Sequence, residues 1–379
     1  MRLIINGSSI YKGGAEQVAL SFIHECRKYP EHEYHVVIRA NLADQIDQDE
    51  FPGNFKFYLI EKRPASSPFQ FIRVMRWLNQ LEKSIHPDCV ISTGGHGYWR
   101  PKVPIAGGFN IPHYIYPESP YFSSITWKKR LFWNVKRRVH LFFFNRLDAI
   151  FVQTDDVKER LSRVLSSGAP IYKVSNTVNS CFLGELKMKH KLPDKKAGEL
   201  RLLTVSSYYP HKNLAIIKPL VKLLEDKGLE GFRFVLTLPP EIFERVFGDA
   251  GDRVVNVGPV RIDECPSLYQ ECDFMFLPTL LECFSASYAE AMAMRKPILT
   301  SDMSFAHTVC QDAAVYFDPM DPADIADKII ALQGDDKKQQ YLKDRGEAIL
   351  QTYSFAEERA GRYLEICSEI SSIGKEKDE

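Results

Sequence analysis

Two doubly wound α/β domains with parallel sheets, facing each other across an interdomain cleft, are the fold the sequence predicts. Three observations predict it. A chain of 379 residues is long for one domain and natural for two. Short apolar runs alternate with longer amphipathic stretches in both halves, the pattern of parallel sheets covered by helices on both faces. Between the halves the composition shifts to Lys, Gly, Asp and Pro, as in Lys187-Met-Lys-His-Lys-Leu-Pro-Asp-Lys-Lys-Ala-Gly198. Residues 1–178 and 199–354 are therefore expected as domains and 179–198 as the passage between them.

In the first half, Leu3–Asn6, Tyr34–Ile38, Phe57–Ile60, Cys89–Ser92, Pro104–Gly107, Ala149–Gln153 and Ile171–Val174 read as strands. Glu16–Tyr29, Phe69–Ile85, Trp127–Asn145 and Asp155–Leu165 carry helical spacing. The second half begins again with strands at Leu202–Ser206, Phe232–Leu238, Val254–Val257, Phe274–Leu277, Ile298–Thr300 and Ala314–Phe317. Phe355–Ile373 reads as a last helix, and Gly374–Glu379 as a disordered end. Ligands of such folds bind outside the carboxyl ends of the strands, so loops that follow strands are where chemistry is sought.

Composition narrows the class. With 45% hydrophobic and 26% charged residues the chain reads as globular and soluble, and no apolar run approaches the ~18–20 residues a membrane span needs. The stretch Met1–Asn6 is too short for a signal peptide. Eight cysteines are scattered without a Cys-x-x-Cys pair, which supports neither a zinc site nor a disulfide framework and suits a reducing, cytoplasmic setting. A net charge of zero hides an asymmetry: residues 1–178 hold 24 Lys/Arg against 16 Asp/Glu, or +8, and the remainder 25 against 33, or −8. A basic half points to an anionic partner.

The densest chemical signal is Pro278-Thr-Leu-Leu-Glu-Cys-Phe-Ser-Ala-Ser-Tyr-Ala-Glu-Ala-Met-Ala-Met-Arg-Lys-Pro297. An apolar strand stops at Pro278, and a short loop leads into an Ala/Met-rich helix. A helix N-terminus offers free N–H groups and a favourable dipole to an anion. Glu282 and Glu290 flank that position, and carboxylates there are poor phosphate ligands but good acceptors for sugar hydroxyls. Surface acids near a helix start are also common for electrostatic reasons alone. The combination of anion site and two acids suits a nucleotide sugar.

With these residues the chain resembles the retaining glycosyltransferases of family four, two-domain enzymes of the GT-B fold with Rossmann-like domains. They often carry Pro-Ser-x-x-Glu-Gly-Phe-Gly-x-x-x-x-Glu-Ala-Met-Ala before a strand and a Ser-Asp turn. Here Pro278-Thr279, Glu282-Cys-Phe-Ser285, Glu290-Ala-Met-Ala293 and Pro297-Ile-Leu-Thr-Ser-Asp302 occupy those places, with Cys283 and Ser285 where glycines are usual. The resemblance extends more weakly over nearly the whole chain. It implies that Glu290 binds the ribose, that Glu282 binds the donor sugar, and that amides around Phe284, Ser285 and Ala286 hold the phosphates. It also implies that the last helix crosses back onto the first domain.

Further positions follow from the same likeness. Lys12-Gly13-Gly14-Ala-Glu16 matches the family's Gly-Gly-x-Glu loop, at the donor phosphates or the acceptor; a plain turn into a helix, with Glu16 as a first-turn acid, reads equally well. In Ser206-Ser207-Tyr-Tyr-Pro-His-Lys212, Lys212 takes the place of the diphosphate-binding lysine, and Ser207 stands where an arginine is usual, leaving His211 or Arg261 to compensate. Backbone after Gly258, through Val260, is expected at the nucleobase. On the acceptor side, Asn110 stands where relatives have a histidine, with His113 three residues on and His96 as a further candidate; a lone loop histidine is more often structural. The implied donor is a nucleotide-diphosphate sugar, with no metal and no other cofactor.

Residues 126–146 carry seven Lys/Arg and no acid among Trp, Phe and Leu. Two readings are equal on sequence: an interfacial helix on an anionic membrane, or a domain helix packing its aromatics inward. No nucleic-acid module is present. The expected function is retaining transfer of a hexosyl group to a glycan or lipid-linked glycan acceptor in cell-surface polysaccharide synthesis, at the inner face of a membrane. A catalytically inactive nucleotide-sugar binder and a nucleotide-sugar epimerase of the same fold are the alternatives. An NAD enzyme is disfavoured, since no Gly-x-Gly-x-x-Gly follows either first strand.

Overall fold

The computed structural model describes residues 1–10, 14–185 and 188–378. The chain forms two compact units, one of Met1–Ile115, Thr126–Asn176 and Ser354–Glu379, the other of Tyr116–Ile125 and Thr177–Tyr353.

The first unit holds a seven-stranded sheet of β1 (Arg2–Asn6), β2 (Glu33–Arg39), β3 (Phe55–Ile60), β4 (Cys89–Ser92), β5 (Ile105–Gly108), β6 (Ala149–Val152) and β7 (Ile171–Lys173), in the order β3-β2-β1-β4-β5-β6-β7. All pairings are parallel, with Leu3 opposite both Tyr34 and Cys89. β4, β5 and β6 are buried along their whole length, so each is a short, continuously apolar or small-residue run rather than an alternating one. The connections run through α1 (Gly14–Glu25) and α2 (Pro68–Ile85). Ser67 caps α2, its hydroxyl accepting from the Gln70 N–H, and Pro68 stands at the first helical position, where its missing N–H costs nothing. After Ile115 the chain enters the other unit as the short helix α3 (Pro120–Ser124), then returns as α4 (Trp127–Phe144) and α5 (Asp155–Ser162). Residues 116–125, read from sequence with the first domain, thus cluster with the second.

In the second unit β8 (Leu200–Thr204), β9 (Phe232–Leu236), β10 (Val254–Asn256), β11 (Phe274–Leu277), β12 (Ile298–Ser301) and β13 (Ala314–Phe317) run parallel in the order β10-β9-β8-β11-β12-β13. The helices are α6 (Ile217–Asp226), α7 (Pro240–Phe247), α8 (Cys265–Gln270), α9 (Ala286–Ala293), α10 (Ser304–Cys310), α11 (Pro322–Gln333) and α12 (Asp336–Leu350). Leu202, Leu220, Phe234, Phe276, Leu299 and Ile329 form its core, each fully buried. Residues 188–199 are fastened to this unit: the Lys189 N–H donates to Ser267 Oγ at 3.0 Å, and the Lys191 N–H to Glu271 Oε2 at 3.0 Å.

The last helix, α13 (Ala356–Asp378), belongs to the first unit. Tyr363 packs edge-on to Phe22 of α1 at 5.4 Å and against Phe151 of β6 at 4.5 Å. A Cβ on Gly361 would lie 2.5 Å from the Tyr29 hydroxyl, so only glycine permits that approach. The helix runs through Gly374 to Asp378, past the Ile373 end read from sequence. Helical hydrogen bonding carries past that glycine, whose cost in a helix is only about 1 kcal/mol.

Candidate functional site

In each sheet the strand order reverses beside the first strand, at β1/β4 and at β8/β11, the switch point where doubly wound folds bind ligands. In the second unit the two loops that leave this point are 205–213, after β8, and 278–285, after β11. They are tied together. The His211 carbonyl accepts from the Leu280 N–H at 2.7 Å and from Thr279 Oγ1 at 3.2 Å, and the Val205 carbonyl accepts from Ser287 Oγ at 3.2 Å. Across this junction Lys212 Nζ forms an ion pair with Glu282, both side chains largely buried. Thr279 Oγ1 is also 3.2 Å from Glu282 Oε1, so the carboxylate and the His211 carbonyl share its one proton. Asn213, next to Lys212, adopts φ +55° and donates from Nδ2 to the Pro319 carbonyl at 2.7 Å. That left-handed turn suits asparagine.

Ser285 occupies the N-cap position of α9 with φ −102° but makes no side-chain capping bond, so the first-turn N–H groups at Ala286 and Ser287 keep their capacity to bind an anion. Neither Cys283 nor Ser285 has positive φ, so glycine's special freedom is not needed there. Phe284 leans on Tyr353 with ring centroids 6.2 Å apart. One turn into α9, Glu290 is 6% exposed and accepts a hydrogen bond from the Tyr269 hydroxyl of α8 at 3.1 Å. Burial raises its pKa from 4.5 to about 7, with the Tyr269 bond opposing the shift.

The remaining donor-side candidates lie in the same unit. The Ser206 N–H donates to Thr237 Oγ1 at 3.2 Å, and Ser206 Oγ donates to the Ser207 carbonyl at 3.0 Å. Gly258 adopts φ +77° with open space where a Cβ would stand, and Val260 is half-buried. Of the two residues considered as a second cation, Arg261 pairs with Asp263 at 3.0 Å on an 81%-exposed side chain, and His211 stacks on Tyr209 at 5.5 Å. Sequence reasoning missed Tyr269 and Thr279 as the partners of the two acids. Thr279 lay inside the motif, whereas Tyr269 has no local signal, being 21 residues from Glu290.

The other candidates belong to the first unit. Gly14 opens α1, and Gly13 lies outside the described residues. Glu16 accepts from Asn41 Nδ2 at 2.7 Å and from Gln45 Nε2 at 3.1 Å, a local network that accounts for it without a ligand. Asn110 is half-buried after β5. His113 stacks on Trp133 of α4 at 4.0 Å; burial, then the Lys136 ammonium, lowers its pKa to about 4. His96 is buried with Nε2 3.0 Å from His140 Nδ1, and burial lowers its pKa to about 3. Both rings are therefore neutral near pH 7, as a hydrogen-bond acceptor or an uncharged packing group must be.

α4 has one packed side and one exposed side. Among its residues Phe144 is buried, while Trp127 (70% exposed), Leu131, Phe132, Val135, Val139 and Phe142 lie in solvent. At 100° per residue these six fall within an arc of roughly 140° opposite Phe144. Arg137 instead turns inward, donating to the Tyr114 carbonyl at 2.8 Å, and Lys136 sits over the Trp133 ring at 4.9 Å. Among the described residues no helix is long and apolar enough to cross a membrane.

Comparison with known proteins accords with this architecture. Residues 199–335 match the family model for glycosyl transferases group 1, and residues 12–180 match the model for glycosyltransferase family 4. The O-antigen chain mannosyltransferase RfbU of Salmonella typhimurium is 23% identical over 218 residues, 56% of this chain and 56% of that one; the match spans about half of that relative. Among solved structures, sucrose-phosphate synthase from Thermosynechococcus elongatus aligns with a TM-score of 0.75 at 14% identity, covering 98% of this chain and 99% of that one. WaaG, a glycosyltransferase involved in lipopolysaccharide biosynthesis, aligns with a TM-score of 0.72 at 12% identity, covering 97% and 99%. With two parallel Rossmann-like sheets and family models matched in both halves, the chain belongs to the family-4-like glycosyltransferases of the GT-B fold.

Proposed function

We propose that this glycosyltransferase moves a hexosyl group, with retention of anomeric configuration, from a nucleotide-diphosphate sugar to a glycan or lipid-linked glycan in cell-surface polysaccharide synthesis. The observation that carries the reading is the Lys212–Glu282 pair at the β8/β11 switch point, one loop from the uncapped start of α9 and the buried Glu290. In the free protein the ammonium and carboxylate neutralise each other. When the donor enters, Lys212 exchanges Glu282 for the diphosphate, and Glu282 turns to the sugar's hydroxyls, so neither charge is left buried without a partner. The α9 N–H groups hold phosphate, Glu290 takes the ribose hydroxyls, and backbone beyond Gly258 meets the base. As the C1–O bond to phosphate breaks, charge grows on the leaving diphosphate, where Lys212 and the helix start stabilise it. The acceptor oxygen bonds to C1 on the same face, and its proton passes to the departing phosphate. Lys212 supplies the charge a divalent metal would otherwise bring, so turnover is metal-independent. Asn110 and His113 are assigned to the acceptor side.

A thermal-shift series with GDP, UDP, ADP and dTDP and their sugars tests the donor site. A nucleotide held at 100 times its Kd should stabilise the fold by about 2.7 kcal/mol and raise the melting point. No shift with any of them would remove the donor reading. Turnover then separates an enzyme from an inactive binder, which Ser207 in place of a second cation would favour, and product analysis separates transfer from epimerisation.

For the lipid-linked acceptor we assign α4 to an anionic membrane surface. Its exposed apolar arc includes Lys128 and Arg138 and is bordered by Arg130, the mixed face by which interfacial helices bind. Trp127→Ser/Phe132→Ser, or Lys128→Glu/Arg130→Glu/Arg138→Glu, should each cut co-sedimentation with phosphatidylglycerol vesicles at least ten-fold. Equal sedimentation of both variants and the unaltered protein would overturn the assignment.

A further inference from the structure

The segment Tyr116-Pro-Glu-Ser-Pro-Tyr-Phe-Ser-Ser-Ile125 interrupts the first unit in sequence yet packs within the second. Its upstream end is clamped in the first unit, where the Ile115 carbonyl accepts from Arg160 Nη1 at 3.4 Å. In the second unit Tyr116 and Phe305, both 1% exposed, meet edge-on at 5.9 Å. Ser119 is 2% exposed, and its one hydroxyl has two bonds: it accepts from the Tyr121 N–H at 3.2 Å, capping α3, and donates to the Leu280 carbonyl at 2.7 Å. Tyr121, also buried, meets the His211 ring edge-on at 6.1 Å.

These contacts close a circuit. Ser119 holds Leu280, the Leu280 N–H holds the His211 carbonyl, and the His211 ring meets Tyr121, two residues from Ser119. Leu280 is two residues from Glu282, and His211 adjoins Lys212. Pro117 and Pro120 fix φ on either side of Ser119, so the segment has little freedom to yield. We propose that residues 116–125 are a positioning strap that holds the Lys212–Glu282 pair in register, with Ser119 and Tyr121 as its contact residues. A reacting pair needs such a brace because displacement by about 1 Å can cost 10²-fold in rate. The strap rests on the donor-site reading above only for the use to which the pair is put.

Ser119→Ala removes both bonds of the hydroxyl, and Ser119→Thr keeps them. Hydrogen exchange followed by mass spectrometry should show residues 209–213 and 278–283 exchanging at least five-fold faster in Ser119→Ala, with β8 and β11 unchanged and Ser119→Thr like the parent protein. Unchanged loops, or faster exchange throughout the unit, would overturn the strap. With GDP-mannose and UDP-glucose as probes, kcat for nucleotide release should fall about ten-fold in Ser119→Ala, while the Kd of GDP or UDP stays within two-fold. Loosened loops with an unchanged kcat would also overturn the positioning role. If the parent protein binds neither probe, the donor reading falls while the exchange result still decides whether the strap holds the pair.

Discussion

Lys212→Ala should lower turnover of the nucleotide sugar by about 10²–10³-fold, equivalent to about 2.7–4 kcal/mol of transition-state stabilisation. The size follows from the surroundings. Arg261 is paired with Asp263 at 3.0 Å and 81% exposed, and Ser207 brings no charge, so Lys212 is the cation placed against the diphosphate in this reading. The same substitution also strands Glu282, which is 9% exposed, and a carboxylate left buried without its partner destabilises the fold. Lys212→Ala/Glu282→Gln separates the two effects. It should recover the melting point lost in Lys212→Ala, because no unpaired carboxylate remains, and should stay as slow as the single variant. A double variant that regains turnover would make Lys212 a structural residue only.

Glu290→Gln should stabilise the protein at pH 8 and weaken nucleotide binding at the same time. Folding raises the Glu290 pKa from 4.5 to about 7. Below pH 4.5 the carboxyl is protonated in folded and unfolded chains alike and carries no penalty. Between the two values the unfolded chain releases the proton and the folded chain keeps it, so stability falls as pH rises. Above about pH 7 the full cost stands, about 3 kcal/mol. The variant should therefore unfold at a higher temperature at pH 8, with the difference vanishing toward pH 4. For GDP or UDP the loss of charge-assisted bonds of about 1.5–3 kcal/mol should raise Kd roughly 10- to 100-fold. Affinity for the parent protein should climb as pH passes through about 7, and stay flat in the variant. Unaltered Kd together with raised stability would mean that this acid serves no ligand.

How much of this was legible depends on how local the cause is. Phe274–Leu277 and Ala314–Phe317 match β11 and β13 residue for residue, since each is a short apolar run ended by a loop residue. Edges slipped where the signal is weak: β8 runs Leu200–Thr204 rather than Leu202–Ser206, because Arg201, a poor candidate for a core strand, is buried by bonds to Glu199 at 2.7 Å and to the Pro193 carbonyl at 2.7 Å. The acids of the α9 motif stood out in sequence through the residues around them, the strand stop at Pro278 and the Ala/Met-rich helix, more than through their spacing. Lys212 stood out through its place in the loop after β8, but its pairing with Glu282, 70 residues away, had no local signal, nor did Tyr269 on another helix. Residues 116–125 were unreadable for the same reason, since nothing within ten residues records which unit a Pro-rich segment will pack on. For 126–146, hydrophobic periodicity identified a helix but could not say which of its apolar sides is buried.

The placement of α13 bears on the order in which the protein matures on the ribosome. Ala360, Tyr363, Leu364 and Ile366 are buried in the core built on β1, β4 and β6, yet they emerge from the exit tunnel after every strand of both sheets. The nascent first unit must wait, one flank of its sheet still wet, while Thr177–Tyr353 is synthesised and becomes free to fold. Such a chain completes its earliest-made half last.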